Sequence, residues 1–325
     1  MTGSKTISHP VRGKDYPQTI QEFDTWFASE DACAEFLSSL KWPDGFQCPT
    51  CAGTKHWITN RGLFQCALCQ KQTSLVAGTV LEGTRTPLRT WLLAMWYVAN
   101  QKSGVSALGL QRALGFGSYE TAWTWLHKLR RAMVRPGRDR LRGCIEVDET
   151  YVGGPEEGVR GRETERKTIV IIAAEENGRR TGRIRMSCIP DVTSDSLLDF
   201  IQETIEPGAE IHTDGWSGYT GVSKAGFNHK VTKIKRSGKL AHELLPRVHG
   251  VASLLKRWLM GTHQGAASNK HLDYYLDEFT FRFNRRGSKT RGLLFYRLAQ
   301  QAMTADPVPY LAITAANENL PNHKM

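Results

Sequence analysis

Apolar and polar positions alternate along the middle of the chain in the manner of half-buried β-strands. In the run CIEVDETYVGG, Ile145 and Val147 share one face of a predicted strand, while Glu146 and Asp148 share the other. The next segment, KTIVIIAAEENGRRTGRIRMSCI, has two apolar runs around a glycine-containing turn, which predicts a hairpin. A later run, AEIHTDGWSGY, predicts a strand that carries Asp214 at its carboxyl end.

Segments with helical spacing of apolar residues lie between these strands and after them. The segment SDSLLDFIQETI begins with a serine cap at Ser194 and ends before Pro207 and Gly208, which predicts a helix. Two more helices are predicted over HGVASLLKRWLMGTH and HLDYYLDEFTFRFNRR. The order of three strands, a helix, a strand and further helices indicates an α/β domain with a mixed sheet.

The first part of the chain has mostly helical spacing. Residues 19 to 45 predict one or two short helices that end at Pro43 and Gly45. From Pro87 three helices follow, and the short glycine turn between the last two is typical of a helix-turn-helix. Its last helix carries three basic residues expected to face DNA: Lys128, Arg130 and Arg131. Four tryptophans in this region are interpreted as core residues: Trp91, Trp96, Trp123 and Trp125.

Four of the seven cysteines form two Cys-x-x-Cys pairs on either side of the short β-like runs HWIT and LFQC. Each pair supplies two thiolates from one tight turn, and two pairs complete the tetrahedral shell that zinc prefers. Four thiolates leave no open coordination position, so we expect a structural zinc ion. Its expected ligands are Cys48, Cys51, Cys66 and Cys69, with His56 between the pairs as a substitute ligand.

Composition and charge narrow the kind of partner. With 40% hydrophobic and 23% charged residues, the 325-residue chain has the composition of an ordinary soluble protein. Its 43 Lys and Arg against 32 Asp and Glu give a net charge of +11, which favours nucleic acid as partner. The sequence begins without a signal-peptide core and has no apolar run of membrane-spanning length. We therefore expect a cytoplasmic, nucleoid-associated protein without membrane contact.

The acidic residues of the predicted strands indicate a metal site. Parallel neighbouring strands would bring Asp148 and Asp214 together, and converging carboxylates repel each other unless a divalent cation lies between them. A pair of such ions, about 3.5 to 4 Å apart, activates water or a 3′-hydroxyl for in-line attack on phosphorus. A following helix would supply a third ligand, and there the chain offers His249. The alternative for Asp148 is a solvated strand end before a turn.

Four stretches resemble the zinc-ribbon insertion-sequence transposases of bacteria, of the ISXO-like group: VDETYVGG, HTDGWSGY, LPRVHGVASLLKRWLMGTHQG and HLDYYLDEFTFRFNRR. The resemblance extends from about residue 20 to about residue 300 and is most specific between Leu245 and Arg286. It implies a ribonuclease-H-like catalytic domain, a DDE-type strand-transfer reaction and Mg²⁺ or Mn²⁺ as catalytic cofactor. It also implies terminal inverted repeats and target DNA as substrates, handled by a homodimer or larger assembly.

Position by position, the resemblance makes Asp148 and Asp214 the catalytic aspartates and places His249 where the general pattern has glutamate. Imidazole carries no negative charge, so we expect weaker Mg²⁺ binding and readier acceptance of Mn²⁺. Alternatively, His249 orients water or the scissile phosphate, or is a capping or core histidine. Glu243 and Glu278 are the other candidates for the third ligand. Basic residues expected to contact DNA phosphates, or else to form a solvated basic face, are Lys256, Arg257, Arg285 and Arg286.

These patterns predict a domain order: a flexible N-terminus at 1–20, a zinc-ribbon module at 21–85, a helix-turn-helix-like DNA-binding region at 86–135, a ribonuclease-H-like catalytic domain at 140–300 and a C-terminal tail at 301–325. The predicted function is that of a DNA transposase. The alternative is a non-catalytic zinc-ribbon DNA-binding regulator or an inactive transposase remnant. A regulator has no need of two strand-borne aspartates followed by basic helices.

Overall fold

The computed structural model describes residues 9–135, 137–154, 167–233, 238, 240–265 and 269–315. These residues divide into two compact units, the first formed by residues up to 135 together with 287–315, the second by residues 137–286. The predicted flexible N-terminus and C-terminal tail lie partly outside the described residues, at 1–8 and 316–325. Among the described helices, none combines the length and apolar character that crossing a bilayer requires.

In chain order the elements are α1 (Ile20–Trp26), α2 (Glu30–Lys41), β1 (His56–Ile58), β2 (Phe64–Cys66), β3 (Gln72–Thr73), α3 (Leu88–Asn100), α4 (Ala107–Leu114), α5 (Tyr119–Ala132), β4 (Cys144–Val152), β5 (Thr168–Asn177), β6 (Arg180–Ile189), α6 (Ser194–Thr204), β7 (Glu210–Asp214), β8 (Asn228–Thr232), α7 (Ala241–Leu244), α8 (Pro246–His263), α9 (Leu272–Asn284), α10 (Arg291–Ala302) and α11 (Tyr310–Thr314). Short 3₁₀ turns lie at Ser217–Tyr219 and Asn269–His271.

The first unit combines helices with the three-stranded antiparallel sheet β1-β2-β3. Trp91 stacks on Trp125 with ring centroids 3.5 Å apart, and both are buried, as is Trp96. Trp123 is half-buried and packs on His127. The interpretation of the tryptophans as core is therefore confirmed for three of the four.

Helices α4 and α5 have the predicted helix-turn-helix connection. The turn begins at Gly115, whose φ of +68° lies in the left-handed region that glycine adopts without strain. It ends at Ser118, whose hydroxyl accepts the backbone N–H of Thr121 and so caps α5. Two residues, Phe116 and Gly117, therefore separate the left-handed turn from the cap of the second helix.

The last described part of the chain completes the core of the first unit. Helix α10 packs against α3, and its Phe295 is fully buried against Phe23, Phe27 and Trp96. The second unit accordingly ends at residue 286, whereas the sequence placed the boundary at 300. An amphipathic helix fits either core, so apolar spacing could not decide between them. Tyr16, within the segment predicted to be flexible, is also buried and packs on Tyr296.

The second unit is a five-stranded mixed sheet in the order β6-β5-β4-β7-β8. Strands β4, β5 and β6 pair antiparallel, whereas β7 runs parallel to β4 and β8 runs parallel to β7. Helix α6 covers one face of the sheet and α8 and α9 cover the other. This arrangement confirms the ribonuclease-H-like mixed sheet with flanking helices.

Two local features of the second unit differ from the prediction. Strand β8 was not predicted, because the sequence NHKVT has no apolar face and none of its five residues is buried. Helix α6 is capped by Thr193 rather than by Ser194, since the Thr193 hydroxyl accepts the backbone N–H of Ser196. The capping residue of α6 is thus one position earlier than predicted.

Candidate active site and zinc site

Asp148 and Asp214 lie on adjacent parallel strands. In the register of β4 and β7, Ile145 pairs with Ile211 and Glu146 pairs with His212. The same register, continued for two residues, aligns Asp148 with Asp214. Asp148 and Asp214 thus lie two residues beyond the last paired positions, on two adjacent parallel strands of the sheet.

Backbone N–H groups orient both carboxylates. Oδ1 of Asp148 accepts the N–H of Glu149 at 2.9 Å, and Oδ1 of Asp214 accepts the N–H of Trp216, also at 2.9 Å. The indole Nε1 of Trp216 donates in turn to the carbonyl of Val192 at 3.1 Å. Each aspartate is therefore held by the turn or strand that follows it.

Tyr219 packs near the end of β4, on the face of the strand opposite Asp148. Its hydroxyl donates to Oε2 of Glu149 at 3.1 Å, and its side chain is fully buried. Burial, together with the negative charges of Glu149, Asp148 and Asp214, raises the pKa of Tyr219 well above its ordinary value. Tyr219 thus stays a neutral donor, and three carboxylates concentrate negative potential where the strands end.

Glu146 holds the start of helix α8. Its carboxylate is 1% exposed, and Oε2 accepts the backbone N–H groups of Arg247 at 2.7 Å and Val248 at 3.0 Å. Oε1 pairs with Nη1 of Arg247 at 2.7 Å. A carboxylate at a helix N-terminus is favoured by the helix dipole and by the N–H groups left unpaired there. Sequence reasoning put Glu146 on the face of Asp148 but gave it no role, because its partner is about a hundred residues away.

His249 lies in the first turn of α8, directly after the two backbone N–H groups that Glu146 accepts. Its Nε2 is 3.5 Å from Oδ2 of Asp148 and is buried. Within the described residues this nitrogen has no hydrogen-bond partner. Burial is the main reason that the pKa of His249 is lowered, which favours the neutral imidazole. An unpaired imidazole nitrogen that faces a carboxylate is the arrangement that a shared cation would complete, so these residues fit a divalent metal.

The three proposed ligands are not fully gathered. Among the described residues, the four cysteines are the only group of three or more metal-ligating side chains with ligand atoms within 4.8 Å of one another. Asp148 and His249 face each other, and Asp214 extends from the neighbouring strand.

The two alternative acids have structural partners. Glu243 is exposed, and its Oε2 accepts the backbone N–H of Leu240 at 2.9 Å, which caps α7. Glu278 is fully buried and its Oε1 is 2.8 Å from Nη2 of Arg282, one helical turn later. Each contact accounts for its acid without a metal.

The basic residues proposed for DNA contact have different surroundings. Lys256 and Arg257 are on the exposed side of α8, and Lys256 follows His249 by two helical turns on the same face. Loss of water around its ammonium, and then the like charge of Lys167, lower the pKa of Lys256. Lys128 and Arg131 are half-buried on α5, whereas Arg130 is only 2% exposed and so does not offer its guanidinium to a phosphate.

Arg285 and Arg286 are engaged in local packing. The guanidinium of Arg285 lies 4.1 Å from the Phe281 ring centroid, and that of Arg286 lies 3.9 Å from the Phe283 ring centroid. Arg286 also donates to the carbonyls of Thr181 and Gly182 and so ties the end of α9 to β6. These contacts explain both arginines without DNA, and we retain Lys128, Arg131, Lys256 and Arg257 as proposed DNA contacts.

The four cysteines come together as predicted. Sγ of Cys48 is 3.6 Å from Sγ of Cys69, and Sγ of Cys51 is 3.5 Å from Sγ of Cys66. A zinc ion with Zn–S bonds of about 2.3 Å requires sulfur atoms about 3.8 Å apart, so the cluster is nearly the size that zinc needs. Burial alone would raise the pKa of the Cys48 thiol, but the backbone N–H groups of Thr50 and Cys51 outweigh it and lower the pKa to about 6.

The backbone around the cysteines explains their approach. Each pair is followed by a residue in the left-handed region, Ala52 with φ of 57° and Gln70 with φ of 59°. A Cβ at Gly53 would lie 3.3 Å from Sγ of Cys66 and 3.4 Å from Sγ of Cys51, so the backbone approaches the cluster closely at this glycine. His56 packs on Phe46 instead of joining the cysteines, with ring centroids 4.6 Å apart. The substitute role considered for His56 is therefore not needed.

Two protein-family models match parts of the chain. Residues 140–284 match the model of the ISXO2-like transposase domain, and residues 28–72 match the transposase zinc-ribbon domain. A protein of Halobacterium salinarum described as an uncharacterized protein in transposable element ISH50 is 25% identical over 281 residues, covering 79% of this chain and 91% of that protein. The catalytic core domain of BIV integrase is 18% identical, with a TM-score of 0.31, and the match covers 46% of this chain and 88% of that one.

The ISXO2-like transposase domain supports an enzyme of the polynucleotidyl-transferase type. The chain carries an ISXO2-like transposase domain and a transposase zinc-ribbon domain, which together support an ISXO2-like zinc-ribbon transposase. It is thus an insertion-sequence transposase with a structural zinc site in its ribbon.

Proposed function

We propose that this transposase binds the terminal inverted repeats of its element and cuts and joins DNA through Asp148, Asp214 and His249. The observation that carries the proposal is that Nε2 of His249 lies 3.5 Å from Oδ2 of Asp148, while Asp214 lies on the adjacent parallel strand, two residues beyond the last pair of β4 with β7. Two carboxylates and a neutral imidazole suit Mg²⁺ or Mn²⁺. Strand transfer at two element ends would require at least a homodimer.

The residues of the site have separable roles in this proposal. Asp148, Asp214 and His249 would hold the divalent ions, which supply an activated water or 3′-hydroxyl and stabilise the leaving oxygen. The Glu149 and Trp216 N–H groups keep the two carboxylates aimed at the same space. Lys256, on the His249 face of α8, would bind the phosphate backbone close to the scissile bond.

A cleavage assay tests the proposal. The substrate is a labelled duplex containing the DNA that immediately flanks this gene, and a scrambled duplex of equal length is the control. We expect nicking of the flanking duplex in Mg²⁺ or Mn²⁺ and none in excess chelator. Binding of the flanking duplex without cutting in either metal would favour the alternative, a non-catalytic zinc-ribbon regulator or an inactive remnant.

His249→Ala is expected to lower the cleavage rate at least about 100-fold in Mg²⁺, a loss typical of groups at a metal site. The reason is that the variant removes the only imidazole that faces Asp148 within the described residues. Because imidazole suits Mn²⁺ better than Mg²⁺, the loss should be at least as large in Mn²⁺. The measurement is single-turnover cleavage in each metal, with His242→Ala, an exposed histidine seven residues earlier, as control. If the His249→Ala variant cut DNA at the parental rate, the third metal ligand would instead be Glu243 or Glu278.

Glu146→Gln is expected to lower the cleavage rate about 10- to 100-fold while leaving DNA affinity unchanged, as for groups that orient metal ligands. The amide keeps the shape of the carboxylate but accepts the N–H groups of α8 less strongly, so His249 loses its fixed place beside Asp148. Glu175→Gln is the matched control, because Glu175 is also a buried acid of the sheet, paired with Arg183 at 2.6 Å. Equal rates for the two variants at temperatures where both are folded would remove the positioning role of Glu146.

A further inference from the structure

The solvent face of the zinc-ribbon sheet carries an ordered row of three side chains. Trp57 on β1 pairs directly with Gln65 on β2, and Gln65 pairs with Gln72 on β3. Residues directly opposite each other in a sheet project from the same face, so these three lie side by side across it. The opposite face is the core of the ribbon, where Phe64 is buried and stacks on Phe46.

Trp57 and Gln72 of this row are exposed, Gln65 is half-buried, and the amides are oriented. Trp57 is 45% exposed, which is unusual for the largest apolar side chain. Nε2 of Gln72 donates to Oε1 of Gln65 at 3.1 Å, and Nε2 of Gln65 donates to Oε1 of Gln70 at 2.8 Å. The amides therefore form a chain of hydrogen bonds that fixes which way each one points. Next to it lies a shallow groove of about 410 Å³ lined by Trp57, Ile58, Thr59, Asn60, Arg61 and Gln72.

The charge around the row has one sign. From Gly45 to Leu81 the sequence contains no Asp or Glu, but it contains Lys55, Arg61 and Lys71. In a chain with 32 acidic residues, an acid-free segment of this length gives a surface complementary to a polyanion. Neither metal nor catalysis accounts for it, because the four cysteines already satisfy the zinc and the proposed catalytic residues lie in the second unit.

We propose that the row of Trp57, Gln65 and Gln72, bordered by Arg61, is the surface with which the ribbon reads duplex DNA; this rests on the transposase function argued above. Three strands at about 4.8 Å spacing are about 10 Å wide, which matches the major groove of about 12 Å. A glutamine amide donates to N7 of adenine and accepts from its N6 amino group. An apolar side chain contacts the thymine methyl group. Arg61 contacts a backbone phosphate at the edge of the groove.

The test measures binding of the full-length zinc-loaded protein to two 30-base-pair duplexes, one from the DNA flanking the gene and one scrambled, between 50 and 200 mM salt. Three alanine variants separate the roles of Trp57, Arg61 and Gln72. Trp57→Ala lowers affinity for the flanking duplex at least about tenfold with an unchanged salt slope, since no charge is lost. Arg61→Ala reduces the slope of log K against log salt by about 1, and Arg61→Lys restores it. Gln72→Ala reduces the preference for the flanking duplex by about tenfold, the effect of one lost base contact.

Two controls guard against misfolding and against a general surface effect. Every variant must keep the zinc content of the parent, which shows that the ribbon is folded. Leu311→Ala removes another exposed apolar side chain of the first unit and should bind like the parent.

The outcomes distinguish this inference from the proposed function. If the parent binds and cuts the flanking duplex while all three variants match it in affinity, salt slope and preference, the reading surface lies elsewhere and the inference is overturned. If Trp57→Ala loses cutting but keeps DNA affinity, the row contacts a protein instead of DNA, which also overturns it. If the parent binds neither duplex, the proposed function itself fails, and the inference fails with it.

Discussion

Asp148→Asn and Asp214→Asn are each expected to reduce DNA cleavage at least about 10³-fold, equivalent to about 4 kcal/mol of transition-state stabilisation. Asparagine keeps the size and the backbone hydrogen bond of each aspartate, so the fold should persist. It removes the negative charge that holds a divalent cation, and a neutral amide oxygen is a much weaker ligand for Mg²⁺. The measurement is single-turnover cleavage of the flanking duplex beside a binding titration with the same DNA.

The control and the contrary outcome follow from the position of these residues. Asp199→Asn changes an exposed acid of α6 in the same unit and should cut at the parental rate. DNA affinity should be unchanged or slightly higher in the two active-site variants, because each removes a charge that repels phosphate. Equal cutting by the parent and both variants would falsify the assignment of the paired aspartates as the metal site.

Loss of the zinc ligands is expected to have the largest effect on stability. Cys48→Ser and Cys66→Ser each remove a thiolate from a cluster in which all four sulfur atoms lie within 4.8 Å. Structural zinc contributes about 10 to 16 kcal/mol in small domains, more than the burial of Phe46 and Phe64 can replace. We expect zinc content to fall from about one ion per chain to nearly none, with loss of DNA binding.

A second cysteine tests whether that effect is specific. Cys144 is half-buried in the first position of β4 and lies outside the zinc cluster, so Cys144→Ser should keep its zinc and its DNA affinity. Metal content is measured on purified protein, and protease digestion reports whether the ribbon is folded. A Cys48→Ser protein that remained resistant to protease without zinc would show that apolar packing alone sustains the ribbon.

The sequence predicted those features that depend on local pattern. Alternation in CIEVDETYV identified β4 and the face of Asp148, and the cysteine spacing identified the zinc cluster, because both signals lie within a few residues. The parallel pairing of β4 with β7 was also expected, but its register was not, since pairing depends on how the whole sheet assembles.

Features that depend on distant contacts were missed or misassigned. Glu146 reads as one more strand acid until Arg247 and Val248 are placed against it. Arg130 looks exposed in a basic helix, yet it lies on the buried side with Leu126. Strand β8 has a polar sequence and forms only because β7 offers it a free edge.

Residues 287–315 belong to the first unit although they follow the second unit in the chain. This sets the order in which the parts of the protein can fold during synthesis. Phe295 and its neighbours on α10 leave the ribosome only after all of residues 137–286 have been made. Until then Phe23, Phe27 and Trp96 lack their contact with Phe295, so the nascent first unit has an open apolar seam. The catalytic sheet can mature first, and a protein truncated before Arg291 would keep its zinc ribbon but expose that seam to chaperones and proteases.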